Sequence, residues 1–246
     1  MYVYIYDDFL EKGRFNKAIN RVEIRLTDLG LNGKIIRLAG IKNIKTVIQN
    51  EIKLGAKTII AVGNNQTVNK IIGTIIDTDV YEAFQKKTLL GIIPIGDDNS
   101  IAESFGIKDE KEACNILLAR RVEKIDLGIA GDYYFLNKAT ISSQGTEIKI
   151  NDYTISTPEK GEISIVNLMS SSDDWKSNPH DGLLDVYIRT KRKDASYLNA
   201  KRIRISNADE NHKLLIDNVL EIDTPVDLGI MKNYINVIVG KDRLFE

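Results

Sequence analysis

The sequence predicts an α/β fold in two parts: a domain built on a parallel sheet over residues 1–125, and a β-rich antiparallel sandwich over residues 126–246. Three observations carry this. The first half alternates short β-branched runs with longer amphipathic stretches, as a parallel sheet with crossover helices does. The run at 57–62 is almost wholly apolar, the pattern of a strand buried on both faces. Beyond Ile125 the runs become short and β-branched, separated by Gly, Asn, Asp or Pro, which is antiparallel texture.

The elements follow in order. Residues 2–6 form the opening strand. Residues 15–29 place Ile19, Val22 and Leu26 at helical spacing with charges between them, and Gly30 closes the helix as a left-handed cap. A second strand at 34–38 leads to a helix at 42–54 stopped by Gly55. After the strand at 57–62 come Gly63, Asn64, Asn65 and Gln66, then a helix over 67–76. A strand at 89–93 ends in Pro94-Ile95-Gly96, and another helix starts near Asn99. In the second half, strands are predicted at 133–136, 146–150, 162–167, 183–188, 200–205, 213–216 and 234–239. The last of them are free to return to the first domain.

Composition narrows the function. Lys and Arg number 34 against 35 Asp and Glu, a formal charge of -1, so no global field draws in nucleic acid or an acidic membrane. Any such partner is met locally. The single cysteine, Cys114, excludes a disulfide framework and a cysteine-based zinc cluster and reads as a core filler. The start, Met1 to Tyr6 followed by Asp7 and Asp8, lacks the basic segment and long apolar core of a signal peptide. No apolar run approaches the roughly 20 residues that span a bilayer, so a cytoplasmic location is expected, with at most peripheral membrane contact. His180 and His212 have no carboxylate or thiol at ligand or triad spacing and read as surface residues. The one basic cluster, Lys191-Arg192-Lys193 with Lys201, Arg202 and Arg204, reads as the charged guard of an edge strand in preference to an anionic-lipid contact.

Two segments can carry chemistry. The loop Gly63-Asn64-Asn65-Gln66-Thr67 lies at the carboxyl end of a buried strand and the amino end of a helix, where unpaired N–H groups and the helix dipole favour phosphate. A plain N-cap by Gln66 or Thr67 is the other reading. One strand later Gly96, Asp97, Asp98 and Asn99 repeat the arrangement on the same rim, with a solvated capping cluster as the alternative.

Together these segments resemble the diacylglycerol kinase family of lipid kinases. Gly63 to Asn69 sits where that family has its Gly-Gly-Asp-Gly-Thr phosphate loop. Pro94-Ile95-Gly96, Asn99 and Ala102 look like its Pro-x-Gly-Thr-x-Asn-Asp-x-Ala stretch, with Phe105-Gly106-Ile107 as the tail. Ile125-Asp126-Leu127-Gly128 is similar to the crossing into the second domain, and Asp181-Gly182-Leu183-Leu184-Asp185-Val186 to that domain's strand signature. The resemblance implies ATP and Mg2+ as cofactors, a nucleotide held by Gly63, Asn64, Asn65, Gln66, Thr67, Gly96 and Asn99, and a lipid substrate. It implies Asp126 near the active cleft and a structural magnesium at Asp181 and the carbonyl of Leu183.

The departures are equally specific. The family's loop Asp falls on Asn65 and its flanking glycines on Asn64 and Gln66. The second-loop Thr and Gly fall on Asp97 and Asp98, and the Asp after Asn99 is Ser100. The first-loop Asn-Pro is replaced by Tyr6-Asp7-Asp8-Phe9, and the late Asp-Gly-Glu by Asp217-Asn218-Val219. The expectation is a lipid-kinase-like protein with an eroded ATP and magnesium site, a pseudokinase or binding protein for a nucleotide, a lipid or a protein partner. An active ATP-dependent lipid kinase is the alternative.

Overall fold

The computed structural model describes residues 1–41, 43–76, 88–169, 177–190, 196–209 and 212–245. The basic run Lys191-Arg192-Lys193 lies outside the described residues. Two compact units emerge, Met1–Lys124 with Ile235–Leu244, and Ile125–Tyr234 with Phe245–Glu246.

In the first unit, β1 (Tyr2–Tyr6), β2 (Gly33–Arg37), β3 (Thr58–Gly63) and β4 (Leu89–Pro94) form a parallel sheet in the order β2-β1-β3-β4. The end of a later strand, β16 (Val226–Ile238), adds to β4 by pairing Val237 with Leu90. The strands alternate with α1 (Asn16–Asp28), α2 (Ile44–Lys53) and α3 (Asn65–Ile75), and α4 (Ser100–Ser104) and α5 (Glu110–Ala119) follow β4. Because β2 and β3 lie on opposite sides of β1, right-handed crossovers put α1 on one face and α2 and α3 on the other. α1 buries Ile19, Val22 and Leu26, the stripe its periodicity predicts, and packs beside α5. Cys114 is buried in α5, where its thiol donates to the Glu110 carbonyl, 3.3 Å away.

The second unit is a sandwich of two antiparallel sheets. In one, β13 (Arg202–Asn207) lies between β8 (Thr146–Ile150) and the start of β16, with β9 (Tyr153–Thr157) beyond β8. β5 (Val122–Ala130) pairs with β6 (Tyr133–Phe135). The other sheet has the order β12 (Ser196–Ala200), β11 (Leu184–Thr190), β10 (Gly161–Val166), β7 (Lys138–Ser142), β14 (Leu214–Ile216) and β15 (Leu220–Ile222). Ile148, Ile203 and Ile205 from the first sheet meet Ile141, Ile163, Ile165 and Val186 from the second in one core, as aligned sheets do. The α/β class with a parallel and an antiparallel part is therefore observed.

Two readings need correction. β13, which carries Arg202 and Arg204, is paired on both sides, so those charges guard no edge. His212 does have a carboxylate neighbour: its Nδ1 lies 3.6 Å from Asp209 Oδ2. His180 is half-buried, its ring edge-on to Phe245 at 5.6 Å. No helix among the described residues is long and apolar enough to cross a membrane.

Candidate functional site

Strand β3 is buried throughout and delivers Gly63 to the carboxyl edge of the sheet. A Cβ built on Gly63 would overlap the Thr67 hydroxyl and Cβ, so only glycine lets the strand end meet the first turn of α3 this closely. Asn64 caps that helix: its Oδ1 accepts from Thr67 N at 3.3 Å, and Thr67 Oγ1 accepts from Asn64 N at 3.2 Å, a reciprocal capping box. The cap is thus Asn64, two residues before the Gln66 and three before the Thr67 that the sequence offered. The buried Thr67 hydroxyl donates to Asp7 Oδ2 at 2.8 Å. Asp7 follows β1 on the same edge and also accepts from Asp8 N, with Lys70 Nζ 3.6 Å away. Burial, joined by the hydrogen bond with Asp8, raises its carboxyl above the usual range against the pull of Thr67 and Lys70.

The second loop is joined to the first by main-chain bonds, Asn65 N to Asp98 O and Ile95 N to Gly63 O, each 3.0 Å. Gly96 takes φ +103, with Phe9 packed where a Cβ would sit. Asp98 takes φ +58, a left-handed conformation in which aspartate is tolerated. Asn99 Nδ2 donates to Gly96 O at 2.8 Å, while its buried Oδ1 has no partner among the described residues.

Asn65 ties the loops together. Its Oδ1 accepts from Ile101 N at 3.0 Å, and its Nδ2 donates to Asp98 Oδ1 and to Ser100 Oγ, each at 2.8 Å. Both side-chain heteroatoms are used, and the residue is buried. Burial raises the Asp98 carboxyl above its ordinary value, with the Ser100 hydrogen bonds opposing the rise. Asp97 is exposed and lies 3.8 Å from Arg14. Gln66 is exposed.

Asp126, on β5 in the second unit, is fully buried. Its Oδ1 accepts from Asn233 N at 2.6 Å and its Oδ2 from Gly182 N at 2.7 Å. Burial pushes its carboxyl up; the two N–H donors oppose this, and the Asp181 carboxylate adds to the rise. Asp181 is exposed, its Oδ1 accepts from Leu183 N at 2.8 Å, and its carbonyl accepts from Lys232 Nζ at 3.2 Å. Asp126, Asp181 and Leu183 are therefore brought together about Gly182. Among the described residues no group of three or more His, Cys, Asp or Glu is placed to hold a metal ion. Asp217 is buried and accepts N–H from Leu136, Asn137 and Lys138, each at 2.9 Å.

Sequence reasoning placed Asp7 in the altered first loop without giving it a role, and it missed the bond from Asn65 to Asp98. Asp7 had a signal, since it is the residue at which the first strand runs out. The Asn65 pair had none beyond two substitutions in loops on one rim.

The sequence profile of the diacylglycerol kinase catalytic domain matches residues 2–130, more than half of the chain. The chain belongs to the diacylglycerol kinase catalytic-domain family. Among curated relatives of this family member, a protein described as a probable lipid kinase YegS-like, from Chromohalobacter salexigens, is 28% identical over 177 residues, 70% of this chain and 50% of that one. One of the same description from Enterobacter sp. is 33% identical over 140 residues, 55% of this chain and 44% of that one. The chain thus spans about half the length of these relatives. A crystal structure of a diacylglycerol kinase from Bacillus anthracis superposes with a TM-score of 0.76 at 15% identity, covering 98% of this chain and 97% of that one. A second, described as a putative diacylglycerol kinase from the same organism, gives 0.77 at 15% identity, covering 98% of each chain. At that identity the likeness is one of fold.

Proposed function

We propose that this member of the diacylglycerol kinase family keeps the lipid-kinase framework as a binding protein, with a phosphate site that has lost ordinary magnesium-ATP chemistry. The observation that carries this is the commitment of Asn65. Where the family pattern has a loop carboxylate, this chain has an amide whose nitrogen is held by Asp98 and Ser100 and whose oxygen is held by Ile101 N. No charged or unengaged oxygen is left on that residue, and magnesium bound to phosphate prefers hard anionic oxygen. The Asn64 and Gln66 side chains stand where the pattern has glycine, at the point where backbone would approach phosphate. The loops as built do not fit a magnesium triphosphate.

A second reading, an active lipid kinase acting on a lipid hydroxyl with ATP, is favoured by one feature: the unpartnered, buried Oδ1 of Asn99 beside Gly96 is an acceptor awaiting a donor. The two readings separate by titration calorimetry with magnesium-ATP. The wild type is expected to bind weakly or not at all. Restoring Asn64→Gly, Asn65→Asp and Gln66→Gly must be accompanied by Asp98→Gly, because a carboxylate at position 65 would face that of Asp98. The fourfold variant should gain binding, with the reopened backbone and the restored ligand each contributing on the order of 1–3 kcal/mol. Low-micromolar binding by the wild type would put the kinase reading first.

A further inference from the structure

The outward face of the sheet β9-β8-β13-β16 carries a hollow with unneutralised positive charge. Residues paired directly across neighbouring strands share a face, and the register puts Lys149 opposite Arg204, Arg204 opposite Asp227, and Arg202 opposite Gly229. Ile148, Ile203, Ile205 and Leu228 occupy the other face, in the core. Arg204 Nη1 is neutralised by both oxygens of Asp227, at 3.1 and 2.8 Å. Lys149 and Arg202 have no ion pair among the described residues. Glu147 lies on the same face, but across from Ser206 and away from Arg202.

Gly229 is unusual in a different way. Its φ is not positive, and a Cβ there would meet nothing nearer than the Lys201 carbonyl at 3.8 Å. Neither backbone conformation nor close packing demands glycine, and an interior strand position without a side chain weakens the strand. Its effect is to leave a floor without a side chain beneath an open groove of about 610 Å³, walled by Lys149, Arg202, Arg204 and Asp227. Edge protection, the usual reason for such charges, does not apply to a strand paired on both sides.

We propose that this groove is a phosphate-binding site, in which the Arg202 guanidinium and the Lys149 ammonium hold a phosphate monoester or diester over Gly229. A guanidinium matches phosphate geometry through paired N–H donors, and the ammonium adds a point charge. The phosphate chemistry comes from the groove itself; a lipid headgroup as its source rests on the reading of the chain as a lipid-kinase-fold binding protein.

The test uses the full chain in chelator, without nucleotide, so that it is independent of the loops at Gly63 and Gly96. Glycerol 1-phosphate is titrated calorimetrically, and flotation is measured with phosphatidylcholine vesicles with and without phosphatidic acid. Arg202→Gln should weaken binding about tenfold, the loss of one charge-assisted hydrogen-bonded contact, and Gly229→Val should weaken it by about the same factor by filling the floor on which the phosphate would sit. Both substitutions suit the site, since Arg202 is exposed and valine favours a strand. Binding of both probes supports the site with free phosphate sufficient; binding only of phosphatidic acid vesicles supports it with a bilayer headgroup as source. Absence of both, equal flotation with pure phosphatidylcholine, or binding indifferent to Arg202→Gln overturns it. If Asn65→Asp with Asp98→Gly alters nucleotide binding while these results stand, the nucleotide reading is tested without touching this one.

Discussion

At position 65 a single heavy atom decides what the loop can hold. With nitrogen at Nδ2 the side chain donates to Asp98 at 2.8 Å; with oxygen in its place two carboxylates would face each other there. Asn65→Asp alone is therefore expected to destabilise the fold by about 1–3 kcal/mol at neutral pH, through lost hydrogen bonds and like-charge repulsion. The penalty should shrink toward pH 4, where one of the pair takes up a proton, and the added change Asp98→Asn should remove most of it. Urea unfolding of the single and double variants at both pH values checks this. Asp126 gives a second test. Burial holds its carboxyl above the ordinary value, so the native state keeps a proton that the unfolded chain has released. Its contribution to stability therefore falls as pH rises from about 4 through the raised value. Asp126→Asn should abolish that part of the slope. It should also cost about 1–3 kcal/mol at the low-pH end, because one of the two N–H donors from Gly182 and Asn233 loses its acceptor.

Among the elements, the junction of β3 with α3 depends on a missing side chain. Gly63→Ala would force Thr67 away, breaking the capping box and the bond to Asp7 together. A loss of roughly 2–4 kcal/mol is expected from overpacking and a lost cap, measurable as a lowered unfolding midpoint. Much of this level was legible in the sequence. The β1, β3 and β4 runs, the α1 stripe and the shift to antiparallel texture follow from periodicity and punctuation, which are local. What escaped was set by partners distant in the chain. β7, β9 and β15 are short, and their residues gain strand character from pairing with β10, β8 and β14. The predicted run at 234–239 is the tail of a 13-residue strand whose earlier part holds polar residues facing outward. Asp217 likewise looked like the remnant of a motif, yet Asp217 and Asn218, at φ +47 and +59, form a turn that carries a carboxylate to the N–H groups of residues 136–138.

Over the whole molecule, the candidate site was legible as a location and illegible as a mechanism. Strand ends on one rim can be inferred from pattern, but the charge exchange between positions 65 and 98 depends on a contact across 33 residues. The first unit also depends on residues at the far end of the chain. Ile235, Val237, Ile238 and Val239 are buried, and Val239, Gly240 and Leu244 donate to Arg121, Phe105 and Ser104 carbonyls. A chain ending at Tyr234 would lose about 1.5–3 kcal/mol for each buried side chain removed, which together approaches the whole stability of a domain. Hydrogen exchange of the β4 amides should rise by orders of magnitude in that truncated chain, whereas unchanged protection would contradict the arrangement. The same discontinuity has a temporal meaning during synthesis. After Lys124 leaves the ribosome, about 110 residues must be translated before Ile235 appears, on the order of 5–20 s at bacterial or slower elongation rates. For that interval β4 waits with one edge uncovered, so the nascent protein is most open to chaperones and to mispairing when its first half is already made.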